Sequence, residues 1–210
     1  MPGVIWYFDF ISPYAYFGLH TLRRLPAGTD LNLRPVLLAG LLKHWGQKGP
    51  AEIAPKRVWT YRSCIWLATQ HQVPFRLPAA HPFNPLPYLR LAIAAGNTIE
   101  AIQAIFRALW TTGSDPADPQ LISGLAETLR VPLEHLGDAS IKDRLRENTE
   151  QAARDGVFGV PSLVINKQVF WGSDAVDFAA AYLHDPAILA TDEIRRADAL
   201  PVGASRAGSS

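Results

Sequence analysis

The first candidate for chemistry in this sequence is a serine followed by a proline, Ser12-Pro13, directly after an apolar run. Serine before proline is typical of a helix N-cap and the first helical position, so the pair predicts a helix start. A hydroxyl at a helix N-terminus can also stabilise an anion, because the free backbone amides and the helix dipole favour negative charge there. The two interpretations are compatible. Ser12 is therefore both a predicted cap and a candidate anion-stabilising group.

A second candidate is the glycine-flanked turn Gly156-Val-Phe-Gly-Val160-Pro161-Ser162. Proline cannot donate a hydrogen bond to a β-ladder, so we expect Pro161 at the start of a strand. A cis bond between Val160 and Pro161 would turn the backbone of Val160 outward, where it could accept from and donate to a ligand. A trans proline in an ordinary loop is the commoner alternative.

The third candidate is the stretch Phe170-Trp171-Gly172-Ser173-Asp174, which runs from a predicted strand into a predicted helix. Like the other two, it falls at an end of the predicted sheet, where turns and helix N-termini expose backbone donors. The alternative is a second helix cap, in which Asp174 only complements the helix dipole.

The composition excludes several kinds of site. Cys64 is the only cysteine, so the chain cannot form an internal disulfide, a four-thiolate zinc site or a Cys-x-x-Cys redox pair. Its apolar neighbours predict a small buried side chain. The six histidines show no His-x-x-x-His or His-Glu-x-x-His spacing, and we expect no metal. A net charge of +1 disfavours nucleic-acid binding.

The N-terminal sequence has no basic run followed by a long apolar segment. No other apolar stretch approaches the roughly 20 residues that a membrane span needs. We therefore expect a soluble, cytoplasmic protein with no membrane contact. Its 210 residues suit one large domain or two small ones.

The hydrophobic pattern predicts strands towards both ends of the chain and helices between them. Residues 4–10 form a continuous apolar run, as in a strand buried on both faces, and residues 31–36 alternate like a strand. A helical pattern over residues 13–24 lies between them. From residue 37 to about residue 155 we expect four or five helices, with the proline-rich residues 75–87 as an extended connection.

Strand character returns after Gly156, where two short strands flank Asn166-Lys167, a connection of hairpin length. A helix is predicted from Ser173-Asp174 to Asp185-Pro186. This order predicts an α/β protein with a thioredoxin-like fold and a large α-helical insertion domain. The predicted thioredoxin-like domain covers residues 1–37 and 156–186, and the insertion covers residues 38–155. Residues 187–210 form a predicted tail, of which we expect the last ten residues to be disordered.

Three segments carry a resemblance to a known family: FDFISPYAYFG, RPVLLAGLLK and GVFGVPSLVINKQVFWGSD. They resemble the 2-hydroxychromene-2-carboxylate isomerase family, which is allied to kappa-class glutathione transferases within the DsbA-like thioredoxin superfamily. The resemblance spans about residues 4 to 184.

The resemblance implies a glutathione-dependent enzyme in which serine stands where redox relatives carry their first cysteine. The nucleophilic sulfur then belongs to glutathione. Carried over by position, Ser12 would hydrogen-bond that sulfur, and the backbone of Val160, before Pro161, would pair with the peptide of glutathione. The γ-glutamyl end would be held by Gly172, Ser173, Asp174 and Ala175. Family members often carry arginine at the position of Ala175.

On the substrate side, the resemblance implies contacts at Lys43 and at Asn84, which lies in the stretch HPFNPLPYLR. Each could instead be a solvated surface residue. Arg57 and Arg90 are further candidates, because a guanidinium can pair bidentately with a carboxylate. The remaining candidates are tryptophans that could line an aromatic cleft, although we expect at least two of them in the helical core: Trp45, Trp59, Trp66 and Trp110.

The leading hypothesis is an isomerase that uses glutathione to convert 2-hydroxychromene-2-carboxylate, or a related small aromatic carboxylate, to trans-o-hydroxybenzylidenepyruvate. One alternative is a kappa-like glutathione transferase or peroxidase. Another is a non-catalytic thioredoxin-fold module that binds a ligand or peptide beside the turn before a strand. The family resemblance also implies a homodimer.

Overall fold

The computed structural model of the protein describes residues 3–204 and has a four-stranded mixed sheet at its centre. The strands are β1 (Val4–Phe8), β2 (Leu31–Pro35), β3 (Ser162–Ile165) and β4 (Gln168–Trp171). Their order across the sheet is β2-β1-β3-β4. β1 pairs with β2 in parallel and with β3 antiparallel, and β3 and β4 form an antiparallel hairpin. The predicted α/β fold with its helical insertion is confirmed.

The apolar run of β1 is buried on both faces, as its sequence predicted. Trp6 and Phe8 face the larger core, which they share with the first helix, α1 (Pro13–Thr21), and with much of the insertion. Tyr7 faces a smaller core on the other side of the sheet. The strand ends at Phe8 instead of residue 10, because Asp9 turns out of the ladder and accepts a backbone hydrogen bond from Leu38.

Residues 3–204 contain the helices α1 (Pro13–Thr21), α2 (Leu38–His44), α3 (Ala54–His71), α4 (Leu86–Ala94), α5 (Ile99–Thr111), α6 (Pro119–Thr128), α7 (Ala139–Arg154), α8 (Val176–His184) and α9 (Asp192–Asp198). α2 to α7 lie between β2 and β3 and form the helical insertion. None of the helices in the described residues combines the length and the apolar character that a membrane span requires.

The insertion contains six helices, whereas the sequence predicted four or five, and the helices that its hydrophobic pattern did not reveal are α2 and α4. α2 has seven residues and buries only Leu41, so it is too short to show a periodic apolar face. α4 begins inside the segment that we expected to be extended throughout. Pro87 lies in its first turn, where the missing N–H has no partner to lose, so this proline opens a helix.

The second half of the sheet follows the predicted order of strand, strand and helix. Asn166 and Lys167 both have positive φ, 49° and 67°, as the two central residues of a type I′ hairpin turn require. α8 begins later than predicted: Ala175 is its N-cap residue, so neither Ser173 nor Asp174 caps the helix.

The segment after α8 is more regular than its composition predicted. Pro186–Ala190 forms a 3-10 turn, and α9 follows it with Thr191 as its N-cap. The six residues 205–210 lie outside the described residues, so the expected disorder of the last ten residues falls largely there.

The expectation that at least two of the four insertion tryptophans fill the core is wrong. Trp110 is fully buried, but Trp59 and Trp66 leave 70% and 61% of their surface exposed on the outward side of α3. Trp45 is also exposed, although its indole Nε1 donates to the carbonyl of Val157. The helical pattern of α3 predicts which residues share a face, but not which tryptophans are buried in the core.

The expected homodimer stays a prediction.

Trp110 of the insertion makes a hydrogen bond to the chain segment after β1, so replacing it should lower the free energy of unfolding. Its indole Nε1 donates a buried 2.9 Å hydrogen bond to the carbonyl of Phe10. Trp110→Phe leaves that carbonyl without its donor and removes buried ring volume, so we expect a loss of about 2–4 kcal/mol in the free energy of unfolding, measured by denaturant titration. Trp59→Phe on the exposed side of α3 is the matched control and should stay within about 0.5 kcal/mol of wild type. Equal losses in the two variants would contradict a specific contribution of Trp110 to stability.

Candidate active site

A cleft of about 1280 Å³ lies between the sheet and the helical insertion. The three motifs singled out in the sequence meet in its wall, because Ser12, Val160, Pro161 and the segment from Gly172 to Asp174 all line it. They reach the cleft from the N-terminus of α1, the start of β3 and the loop after β4. The structure therefore brings together residues that are up to 162 positions apart in the chain.

Ser12 caps α1, as its sequence predicted. Its backbone is extended, and its Oγ accepts a 3.2 Å hydrogen bond from the N–H of Ala15. The hydroxyl proton points to the carbonyl of Val160, with an Oγ to O distance of 3.3 Å. Only 6% of the residue is exposed. Because a hydroxyl rotates about its Cβ–Oγ bond, this proton can turn from the carbonyl to an anion that enters the cleft.

The turn before β3 presents the backbone of Val160. The Val160–Pro161 peptide bond is cis. The carbonyl of Val160 faces Ser12. The N–H of Val160 has no hydrogen-bond acceptor within residues 3–204. α1 packs against the proline at Gly18, where an added Cβ would lie 3.0 Å from the Pro161 Cγ. Glycine at this position lets α1, and with it Ser12, approach Val160 closely.

The loop between β4 and α8 completes this side of the cleft. Gly172 has a φ of +112°, a conformation that residues with a Cβ rarely adopt, and a Cβ there would collide with the Asp174 carboxylate. The Thr21 hydroxyl of α1 shares its proton between the carbonyl of Gly18 in the same helix, at 2.8 Å, and the carbonyl of Ser173 in the loop, at 3.2 Å. Ala175, the remaining predicted ligand residue, occupies the N-cap position of α8 and does not line the cleft.

A buried carboxylate lies under the Ser12 turn. Asp9 is fully buried, and its two oxygens accept the N–H groups of Ile11 at 3.1 Å and Leu38 at 2.8 Å. Its backbone carbonyl accepts the N–H of Ser12. Burial raises the pKa of Asp9 to about 7, against the backbone hydrogen bonds, which lower it. The sequence analysis gave Asp9 no role, although an acidic residue next to a buried strand is a signal of a paired or functional carboxyl group.

Neither predicted substrate residue lines the cleft. Lys43 is exposed in the last turn of α2, and the Asn84 Oδ1 accepts the N–H of Leu86 at the start of α4. Arg57 donates to the carbonyl of Ala51 and also lies outside the cleft wall, as does Arg90. The cations that do line the cleft are Arg23, Arg24, Lys48 and Lys56.

The insertion supplies apolar side chains to the wall of the cleft. Leu67, Val73 and Phe83 contribute to it, and the imidazole of His81 lies among them. The sequence analysis missed His81 because it stands alone, without a second histidine or carboxylate at ligand spacing. Its place in HPFNPLPYLR, three residues before the predicted Asn84, was the available signal.

The protein has no thiol of its own in this cleft. Cys64 is fully buried in α3, away from the cleft wall, and burial raises its thiol pKa to about 12. Within residues 3–204 no group of three or more histidine, cysteine or acidic side chains is placed to hold a metal ion. The cleft wall thus offers the Ser12 hydroxyl, backbone amides and carbonyls, charged side chains and the three histidines His20, His71 and His81, but no thiol.

Comparison with known proteins agrees with this architecture. Residues 3–184 match the family model of the DSBA-like thioredoxin domain. The chain is 29% identical to 2-hydroxychromene-2-carboxylate isomerase of Sphingobium xenophagum over 188 residues, which cover 85% of this chain and 96% of the relative. It is 29% identical to glutathione S-transferase kappa 2 of Caenorhabditis elegans over 207 residues, 87% of this chain and 92% of the relative.

Among solved structures, one of a 2-hydroxychromene-2-carboxylate isomerase superposes with a TM-score of 0.75 at 21% identity, covering 94% of this chain and 99% of the other. At that identity the superposition supports the fold alone. Together with the sequence matches, it confirms the resemblance that the three sequence segments carry.

The raised pKa of Asp9 predicts a pH-dependent contribution to stability. The unfolded chain releases this proton near pH 4 and the folded chain near pH 7, so the contribution is fully present below about pH 4 and is lost as the pH rises to 7. Relative to Asp9→Asn, the free energy of unfolding of the wild type should fall by up to about 1.4 kcal/mol per pH unit across this interval and then level off. Denaturant titrations at several pH values measure the difference. A difference that does not change with pH would show that Asp9 titrates at its ordinary pKa.

Proposed function

Because the chain belongs to the DSBA-like thioredoxin domain family, we propose that it is a glutathione-dependent isomerase of 2-hydroxychromene-2-carboxylate or a related small aromatic carboxylate. The observation that carries the proposal is a hydroxyl, not a thiol, at the N-cap of α1 in the centre of the cleft. Thiol–disulfide chemistry needs an accessible protein thiol, and the only cysteine of the chain is sealed in the core. The nucleophile must therefore come with a ligand.

The residues around Ser12 fit glutathione. Val160 offers a free N–H and a carbonyl at the edge of a strand, the pair of groups that a peptide uses to extend a sheet. Asp174 is exposed at the rim and would face the amine of the γ-glutamyl end, next to Gly172 and Ser173. When bound, glutathione supplies a sulfur that adds reversibly to a conjugated double bond, which permits rotation before elimination restores the alkene without net oxidation.

The contribution of Ser12 is to favour the thiolate form of that sulfur. A thiol with a pKa of about 8.5 is only about 3% ionised at pH 7, and lowering the pKa by two units requires about 2.7 kcal/mol. A hydroxyl hydrogen bond to a charged group contributes about 1.5–3 kcal/mol, and a helix N-terminus adds about 0.3–1 kcal/mol. The two groups together are sufficient, and both are present at Ser12.

The rest of the cleft suits an aromatic carboxylate. The apolar wall of the insertion can cover an aromatic ring, and Lys48 and Lys56 at the cleft can pair with a carboxylate or with a developing enolate. These lysines replace Lys43 as candidate substrate contacts on geometric grounds. The identity of the substrate within this class is part of the proposal.

The direct test is to mix the purified protein with 2-hydroxychromene-2-carboxylate and follow the absorbance of the ring-opened product, with and without glutathione. We expect isomerisation that requires both protein and glutathione. Absence of any glutathione-dependent rate would reject the isomerase assignment for this substrate.

Replacing Ser12 separates its catalytic role from its capping role. Ser12→Ala should lower turnover about 10- to 100-fold, because one hydrogen bond to a charged sulfur is lost, and should cost about 1 kcal/mol of stability for the lost cap. Thr98→Ala is the matched control. Thr98 caps α5 through the N–H of Ala101 and lies outside the cleft. It should lose similar stability and keep its turnover. If both variants lose turnover equally, Ser12 acts only as a cap.

A kappa-like glutathione transferase is the second candidate, because sequence relatives with that name match most of the chain. The two activities differ in whether glutathione stays on the product. Conjugation of chlorodinitrobenzene at a rate far above any isomerisation rate would favour the transferase. If glutathione fails to raise the melting temperature while an extended peptide raises it, a binding module is the better description.

A further inference from the structure

The turn that carries Ser12 is held from outside by the helical insertion. Two consecutive carbonyls precede Ser12, and each accepts a hydrogen bond from an insertion side chain. The Trp110 Nε1 donates to Phe10 at 2.9 Å, and the His81 Nε2 lies 2.8 Å from the carbonyl of Ile11. The insertion thus contacts the backbone immediately before the candidate catalytic hydroxyl.

The hydrogen bonds fix the orientation and the tautomer of His81. A carbonyl can only accept, so the Nε2 carries the hydrogen and donates it to Ile11. The Nδ1 is then an acceptor 2.9 Å from the Tyr61 hydroxyl, and it shares the single proton of that hydroxyl with the carbonyl of His81 at 2.8 Å. Burial lowers the pKa of His81, the hydrogen bond to Ile11 raises it, and the charge of Arg57 lowers it; the net direction favours the neutral ring.

Aromatic packing keeps the imidazole in this place. The ring of His81 meets the rings of Tyr61 and Phe83 edge-on, with centroids 5.4 Å and 5.9 Å away. It also packs against Trp110 at 5.5 Å. His81 therefore cannot rotate away from Ile11 without disturbing its neighbours, and Tyr61 on α3 holds its other nitrogen.

We propose that His81, oriented by Tyr61, is a positioning residue that fixes the peptide before Ser12 and thereby holds the Ser12 side chain at the N-terminus of α1. We call this hydrogen bond from His81 to the carbonyl of Ile11 the clamp. If Ile11 loses the clamp, the Ile11–Ser12 peptide gains freedom to rotate. The group at position 12 then spends less time beside the N–H of Ala15. That this matters for the sulfur of glutathione rests on the proposed function, whereas the positioning itself does not.

The cleft gives the clamp a second consequence. His81, Ile11 and Ser12 all line it. A ligand packed against the insertion wall would contact His81 directly. The clamp thus connects the insertion wall, which would contact the substrate, to Ser12, which would contact the sulfur of glutathione.

The test uses Ser12→Cys as a reporter, so that it does not require glutathione to bind. The thiol pKa at position 12 is obtained from the pH dependence of alkylation by iodoacetamide. Wild type, whose only thiol is the buried Cys64, gives the background rate. In the Ser12→Cys protein, Tyr61→Phe and His81→Leu should each raise this pKa by about 0.5 unit or more, an approximately threefold loss of thiolate below the pKa. His81→Gln should restore part of the shift, because its amide N–H can reach towards Ile11.

The matched control is Tyr88→Phe in the same Ser12→Cys protein. The Tyr88 hydroxyl also donates a single buried hydrogen bond, to the carbonyl of Pro116, and it lies outside the cleft. It should lose stability and leave the thiol pKa unchanged. If His81→Leu does not fold, Tyr61→Phe and His81→Gln carry the decision.

An unchanged thiol pKa in Tyr61→Phe would overturn the proposal, and so would an equal shift in Tyr88→Phe, which would indicate general loosening. Glutathione binding is measured separately, as the change in melting temperature of the wild type. No binding together with the expected pKa shifts would refute the proposed function and leave the positioning role standing. Binding without the pKa shifts would do the reverse.

Discussion

The close packing of α1 on the turn before β3 is the constraint on which the site depends. It joins two segments that are 148 residues apart in the chain and brings the Ser12 hydroxyl to 3.3 Å from the carbonyl of Val160. A side chain at position 18 would place its Cβ 3.0 Å from the Pro161 Cγ, so the helix or the proline would have to shift. Without that approach, the helix N-terminus and the free amide of Val160 would belong to separate surfaces. With it, they form one side of a cleft that can hold an extended peptide and a negative charge.

The helical insertion closes the other side and does more than cover the sheet. Its side chains reach the backbone on the N-terminal side of Ser12, where Trp110 and His81 satisfy carbonyls that would otherwise be buried without donors. Asp9 accepts the N–H of Ile11 in the same turn and the N–H of Leu38 at the start of α2. The turn is therefore fixed by hydrogen bonds from three directions. Such fixing suits a residue that must stabilise charge without moving, because a preorganised donor costs no rearrangement when the charge develops.

The sequence predicted the features that depend on local pattern. The buried strand β1, the cap at Ser12 and the hairpin turn at Asn166 each follow from a few neighbouring residue types. The family resemblance pointed to Val160 and to the loop from Gly172 to Asp174, and these do meet Ser12 in the cleft. The features that local pattern did not predict depend on the tertiary arrangement of the insertion.

The errors of the sequence analysis have the same physical origin. Whether Trp59 or Trp110 is buried is decided by which side of its helix faces the core. Lys43 was named from family position and lies outside the cleft wall, whereas Lys48, five residues later and beyond the end of α2, lines the cleft. His81 has no partner in the sequence at all, because the carbonyl and the hydroxyl it binds belong to residues 70 and 20 positions away.

The burial of Cys64 has a practical consequence. Since the one native sulfhydryl of the chain is sealed between α3 and the core, a cysteine engineered anywhere on the surface would be the sole point of attachment for a maleimide dye or a spin label. Pairs of such labels on the sheet and on the insertion would report the distance between the two parts by fluorescence transfer or electron resonance, with no need to remove a native residue first.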